Sequence, residues 1–433
     1  MIKRRAIRNF ILMSILAALL VVLSFVSFTL PASNHQFAGF ANAITTDIDL
    51  KGGYSGEYKI SFNEETIKGS ESVDEAKKFI QQKFAAYGYG TTTVVTSGIE
   101  TLRIEIPQIK YAESMLMAVG TEGDLYIRTS ETTEVSDTDI TGREVKDIYS
   151  TFAQVTATEF KWGTTIEFNE DGQEKIESLT ESGNGTIYVY VGEEVFSRIS
   201  FSQQVTGNSL YVYGSAQDQD SANVYAFTML MGKLGVNFDL IGDDIVEIPP
   251  VDGNNAILTA ALAIAILLVL IVCVSFTLFG DFGWIFMLSL VFYATIVLFF
   301  MQAIPVFALS VGGVVGTILG LVLLFFSNYI IFNNIKKGYA EGKKIPLAVR
   351  AGFKKSIMTV VDMNVIAMII AVVCIIAGGA LLQSFAFALL ISGALNLFVS
   401  LLLNRWFVKW YLNINSKDAT RLRMKREANV DEI

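Results

Sequence analysis

The stretch "GGVVGTILGLVLLFFSNYIIFNNIKKGYAEGKKIPLAVRAGFKKSIMTVVDMNV", Gly312 to Val365, decides how this chain is built. It lies across two apolar runs, Val306 to Phe332 and Ile357 to Ile376, with seven lysines and arginines between them. About 20 consecutive apolar residues cross a bilayer as helix. The stretch therefore predicts a hairpin of membrane helices joined by a basic loop. Among the polar side chains inside the apolar runs are Ser327, Asn328, Asp362 and Asn364.

Outward from this hairpin, four more runs of similar length appear: Phe10 to Leu30, Ala256 to Phe279, Trp284 to Met301 and Phe385 to Leu403. The 433 residues are 52% hydrophobic with a mean hydropathy of +0.47, too apolar for an ordinary soluble chain. Between the first two runs lie 222 residues, Ala32 to Gly253, of ordinary polar composition, enough for one or two folded domains. They hold 35 acidic and 15 basic residues, net -20, whereas the rest of the chain carries 18 basic and 7 acidic. An acidic domain repels nucleic acid, and basic or unfolded polypeptide is the ligand it suits.

Basic clusters set the expected orientation. Lys3, Arg4, Arg5 and Arg8 precede the first run, Lys336 to Lys355 separates the fourth and fifth, and Arg405 to Arg426 follows the sixth. The positive-inside rule puts all three in the cytoplasm, which six crossings satisfy, and leaves the 222-residue domain outside. The first run, 21 residues long, exceeds the usual h-region of about 7 to 15 residues, so an uncleaved anchor is expected despite the A-x-A site at Ala41 to Ala43. Cys273 and Cys374 both fall in membrane runs, and His35 is the only histidine. A histidine-based metal site or catalytic triad is thereby excluded, and no metal or cofactor is expected. G-x-S-x-G, H-E-x-x-H and a lysine-bearing phosphate loop are absent, so neither a hydrolase nor a nucleotide-driven motor is expected.

The outside region alternates apolar and polar residues in "TDIDLKGGYSGEYKISF", turns helical in "SVDEAKKFIQQKFAAYGYG" and alternates again in "TTTVVTSGIETLRIEIPQI". A helix in "KYAESMLMAVGT" and a strand in "GDLYIRTS" are expected to complete a split βαβ, ferredoxin-like base. Thr132 to Asp147 is polar and acidic and is expected to be a linker or exposed loop. A second α+β lobe, the head, follows and is expected to move against the base. The expected segments are 1–31 (cytoplasmic N-terminus and first span), 32–149 (base), 150–214 (head), 215–253 (return to base and connector), 254–412 (spans two to six) and 413–433 (basic cytoplasmic tail). Gly-Gly pairs at Gly312 and Gly378 predict close helix packing.

One span, a large domain opening with "DLKGG" (Asp49, Leu50, Lys51, Gly52, Gly53), then five spans with a basic loop after the fourth: this order resembles the SecD/SecF family of protein-export membrane subunits, within the resistance-nodulation-division superfamily. The likeness covers nearly the whole chain. Gly312 to Val365 resembles the family's fourth span, basic loop and fifth span almost without gaps, and "GTTIEFNEDGQEKIESLTESGNGTIYVYVGEEVFSRISFSQQVTGNSLYVYG" is similar to its mobile head. The resemblance implies a multi-pass subunit of the cell membrane. It would help export unfolded polypeptides through the SecY/SecE/SecG channel, with SecF as a separate chain and the proton-motive force as the energy source. Where the family's fourth span reads Asp-Ala-Asn, this chain has Phe326, Ser327 and Asn328; in the fifth span Asp-x-Asn stands as Asp362 and Asn364.

Carboxylates inside membranes are costly and usually functional, so Asp362 is the candidate proton-relay residue, with Asn364, Ser327 and Asn328 as polar neighbours. The bland alternative is a buried structural aspartate, and Ser327 and Asn328 as helix glue. "DLKGG" reads as a structural turn, since glycine lets the backbone bend. Three functions compete: an export subunit driven by protons, a proton-silent scaffold or substrate-binding accessory of the translocon, and, remotely, a permease of the ABC-exporter type.

Overall fold

The computed structural model describes residues 2–29, 36–62, 73–121, 123–131, 136–155, 159–214, 216–233, 236–242, 245–251, 253, 255–304, 307–378, 380–414 and 419–426. His35, Gly379 and the first four residues of the acidic stretch, 132–135, lie outside the described residues. The chain divides into two units: Met1–Leu50 with Asp252–Ile433, and Lys51–Val251.

In chain order the first unit begins with α1 (Ile2–Phe25), the strand pair β1 (Phe28–Thr29) and β2 (Gln36–Phe37), and the single turn α2 (Ile48–Lys51), which ends at the boundary. The second unit runs β3 (Gly53–Phe62), α3 (Val73–Ala86), β4 (Thr93–Thr96), β5 (Thr101–Pro107), α4 (Ala112–Val119), β6 (Leu125–Arg128), β7 (Ile140–Thr141), β8 (Val145–Gln154) and β9 (Phe160–Phe168). It continues with α5 (Glu170–Leu179), β10 (Gly185–Val191), β11 (Glu194–Phe201), β12 (Ser209–Val212), α6 (Gln219–Lys233), β13 (Val236–Leu240) and β14 (Val246–Ile248). The first unit resumes with α7 (Ala256–Phe279), α8 (Phe282–Ala303), α9 (Val311–Ala340), α10 (Ile345–Ala377), α11 (Ala380–Phe398), a wide turn Val399–Leu403 and α12 (Asn404–Ile414). Among the described residues six helices are long and apolar enough to span a membrane, the sixth reaching from Leu382 to Ile414.

In the second unit the order β13-β3-β5-β4 is antiparallel throughout. That is the order of a split βαβ sheet, but its fourth strand is not the expected "GDLYIRTS". That segment, β6, pairs instead with β10 and β7. After the eight-residue α4, which rises about 12 Å, the chain enters β6 in a different sheet. The fifteen-residue α6 rises about 22 Å and delivers β13 to the edge of β3.

The other sheets are β11-β10-β6-β7 and β12-β9-β8. One apolar core runs through all three, including Tyr58, Phe84, Leu116, Ile127, Ile166 and Phe227. The acidic stretch is not all loop: Ile140 is fully buried in β7, and Asp139 lies 3.4 Å from Arg128, both nearly inaccessible. Stacking of Arg128 over Tyr126 and Tyr190 completes that buried site. On α5, Glu170, Asp171 and Glu174 are exposed and Glu177 half-buried.

Candidate functional site in the membrane helices

In the first unit α9 packs against both α10 and α11. Small residues make the approach possible: a Cβ on Gly320 would overlap Ser392 of α11. Helices held this closely bury whatever polar groups they share, and such groups must find partners within the protein.

Ser327, Asn328 and Asn364 are each 1% exposed or less. Asn364 donates from Nδ2 to Ser327 Oγ at 3.3 Å and to the Val360 carbonyl at 2.8 Å. Three further buried residues, Asn396, Ser400 and Asn404, come from the sixth span. Asn396 Nδ2 donates to Asn364 Oδ1 at 2.8 Å and to Ser327 Oγ at 3.1 Å. Ser400 donates to Asn396 Oδ1 at 2.7 Å and accepts from Asn328 Nδ2 at 3.4 Å, while Asn404 donates to Asn328 Oδ1. The result is a ladder of amides and hydroxyls joining α9, α10 and the sixth span. None of its members titrates near neutral pH.

The sixth span keeps its three rungs aligned through its wide turn. Successive α-helical residues are about 100° apart, so positions four apart drift by about 40° and Asn404 would sit about 80° from Asn396. At Val399–Leu403 the helix widens, and the Asn404 amide bonds the Val399 carbonyl five residues back. A wider turn takes more residues per revolution, which brings Asn404 back toward the stripe. The spacing of four in "NLFVSLLLN" was the available signal for these residues.

Asp362 is not in the ladder. It is exposed on α10, and among the described residues no hydrogen bond or ion pair reaches its carboxylate. Contacts of Asn364 with Ser327 and of Asn334 with Ser356 fix the register of α9 against α10 and put Asp362 level with Tyr329. Phe326, where the resemblance implies an aspartate, is 47% exposed. Asp362 lies seven residues past Lys355, about 10 Å of helix rise, and so within the apolar layer.

At its other end α9 is held by the "DLKGG" segment. Asp49 Oδ2 accepts from the Val311 amide at 2.7 Å, the first amide of α9, where a carboxylate meets the positive helix end. Ser310 caps the same turn, Ser384 of α11 accepts from the Ser310 amide at 3.1 Å, and Leu309 exchanges backbone bonds with Thr45 and Asp47. Leu50 packs with Val314 and Ala256. The motif thus divides between the units. In the second, Gly52 has φ +81, and a Cβ there would stand 2.5 Å from the Ile248 carbonyl, so only glycine fits. Among the described residues no group of three or more His, Cys, Asp or Glu could hold a metal ion.

No protein-family model matches the chain. A protein translocase subunit SecD from Acidaminococcus fermentans is 23% identical over 399 residues, 92% of this chain and 90% of that one. SecD from Sebaldella termitidis is 24% identical over 382 residues, covering 87% and 91%. Along most of its length the chain is similar to these SecD proteins. Its fold agrees with that of SecDF from Thermus thermophilus, at a TM-score of 0.54 over 99% of this chain with 18% identity. SecDF in its super-membrane-facing form gives 0.53 over 96% with 19% identity. The chain covers 61% and 58% of those two SecDF chains, and 51% of a SecDF from Brucella abortus to which it is 22% identical. Phe326 and Asp362 are both exposed, while Ser327, Asn328 and Asn364 are buried in the ladder.

Proposed function

We propose that this chain is a SecD-type subunit that assists export of unfolded polypeptides through a SecY-type channel, with a SecF-type partner chain covering the Asp362 face of α10. The solved SecDF is described as a translocon-associated membrane protein, and the relatives as protein translocase subunits. One observation carries the reading: an exposed carboxylate stands within the apolar layer of α10, outside the ladder that holds the helices together. Placing it against lipid costs about 2.5–3.5 kcal/mol on insertion scales. A partner's cation or hydroxyls on that face remove the cost and give Asp362 something to exchange a proton with.

Proton-driven work in this assembly runs through Asp362 together with the partner, since the ladder has no group that titrates. The base, head and connector divisions at 32–149, 150–214 and 215–253 belong to the same proposal, as does the cytoplasmic placing of both termini. The scaffold reading has one observation in its favour, that same lack of a titrating group among the buried rungs.

Asp362→Asn separates the two. It keeps shape and hydrogen bonding without titrating, so export of a reporter should fall toward the level seen when the proton gradient is collapsed, with abundance and partner association unchanged. Full export by the variant, insensitive to loss of the gradient, would leave the scaffold.

A further inference from the structure

An apolar cavity of about 510 Å³ lies between α1, α8 and α12, lined by Phe10, Ser14 and Val21 of α1, Trp284 and Val291 of α8, and Tyr411 of α12. Its walls are almost wholly hydrocarbon and ring surface. From Phe10 to Val21 it follows α1 for about 16 Å, close to half the roughly 30 Å hydrocarbon thickness. The cavity therefore matches one leaflet.

Its ends differ in charge. Phe10, Trp284 and Tyr411 lie toward the basic end of the spans, where Lys336 bonds the Leu278 carbonyl at the turn that leads into α8. The α1 stripe through Phe10, Ser14 and Val21 continues back to Lys3, and Lys3, Arg4, Arg5 and Arg8 are all exposed. On α12, Arg405 and Lys409 are exposed as well. Asp281, at the turn into α8, accepts a hydrogen bond from the Tyr411 hydroxyl.

We propose that this cavity holds one anionic phospholipid of the leaflet at the basic end, its acyl chain between α1, α8 and α12 and its phosphate among the α1 cations. Two complementary surfaces argue for that occupant. The apolar walls suit an acyl chain, and basic residues at the membrane surface favour anionic headgroups. The exposed α1 cations beside the apolar walls are the pairing that a phospholipid, with its phosphate and acyl chain, presents.

Trp284 is 55% exposed in the cavity and reports on what fills it. In a Trp162→Phe/Trp406→Phe/Trp410→Phe background, which leaves Trp284 as the one tryptophan, the full chain is placed in phosphatidylcholine vesicles containing a small fraction of dibrominated phosphatidylglycerol or, separately, the same fraction of dibrominated phosphatidylcholine. Quenching should be stronger with the anionic lipid, and the preference should shrink in high salt, which screens the headgroup attraction. Lys3→Gln/Arg4→Gln should lower the preference by about fivefold per cation removed, equivalent to ~1 kcal/mol each. Ser14→Phe, which fills the cavity, should remove it. Equal quenching by the two lipids would overturn the anionic site, and no quenching by either would mean that protein covers the cavity. The salt dependence is read on the background protein, so the test stands even where Ser14→Phe fails to fold.

Discussion

Asn396 touches more of the ladder than any other rung: its amide group joins Ser327, Asn364 and Ser400. Asn396→Val should cost about 1–2 kcal/mol, since interhelical bonds in membranes average about 0.6 and reach about 1.7 kcal/mol. Thermal unfolding of the purified protein in detergent would measure it, and a change within error would mean that water replaces the bonds. Ser327, Asn328 and Asn364 were legible in the sequence because polar residues inside apolar runs need partners. Of their partners only Asn404 falls at the basic flank, where polar groups are expected to be solvated; Asn396 and Ser400 lie inside the last apolar run and were open to the same reasoning, but a sequence does not say which polar positions on different helices meet. The exposure of Asp362 was equally illegible: residues two apart on a helix point about 200° apart, so Asn364 faces inward while Asp362 faces out, and only packing says which.

Among the elements, the six spans were readable from length and hydropathy, and the first strands and helix of the domain from their periodicity. The identity of the fourth sheet strand was not, since period alone does not say which strand a crossover of given length can return to the sheet. A carboxylate at the start of β8 ties this region down. Burial raises the Glu144 pKa, but bonds from Lys175 Nζ at 2.8 Å and from the Thr141 hydroxyl at 2.6 Å outweigh it and hold the group below its ordinary value. A lowered folded pKa contributes stability above the ordinary glutamate range that is lost as pH falls through the folded value. Glu144→Gln should therefore lower stability by about 1 kcal/mol near neutrality, and the gap to the unaltered protein should close in acid. A gap that stays constant across pH would assign the loss to packing.

For the whole molecule, the proposed orientation predicts that a thiol at Lys343 reacts only from the cytoplasmic side. Lys343 is the better probe than Gly342, whose φ of +89 strains any side chain. Labelling of Lys343→Cys in a Cys273→Ala/Cys374→Ala background, by an impermeant reagent added outside intact cells, would overturn the topology. Within the second unit, β6 of the proposed base and β10 of the proposed head pair from Leu125↔Val191 to Arg128↔Tyr188. A disulfide replacing Ile127 and Val189 should thus leave reporter export at the level of the reduced protein. Slower export once the bond has formed would mean that 150–214 parts from its neighbours at this seam.

The hold on α9 has a mechanical reading. Asp49 and Ser384 grip its first turn, and the ladder grips it again at Ser327, sixteen residues and about 24 Å further on. Held at both levels, α9 resists tilting and sliding, and the bonds of Ser327 and Asn328 on one face oppose its turning. Asp49 stands four residues before β3, the strand between β13 and β5 in the domain sheet. Removing either hold, at Asp49 or at the ladder, would leave α9 pinned at a single level and able to pivot about the other.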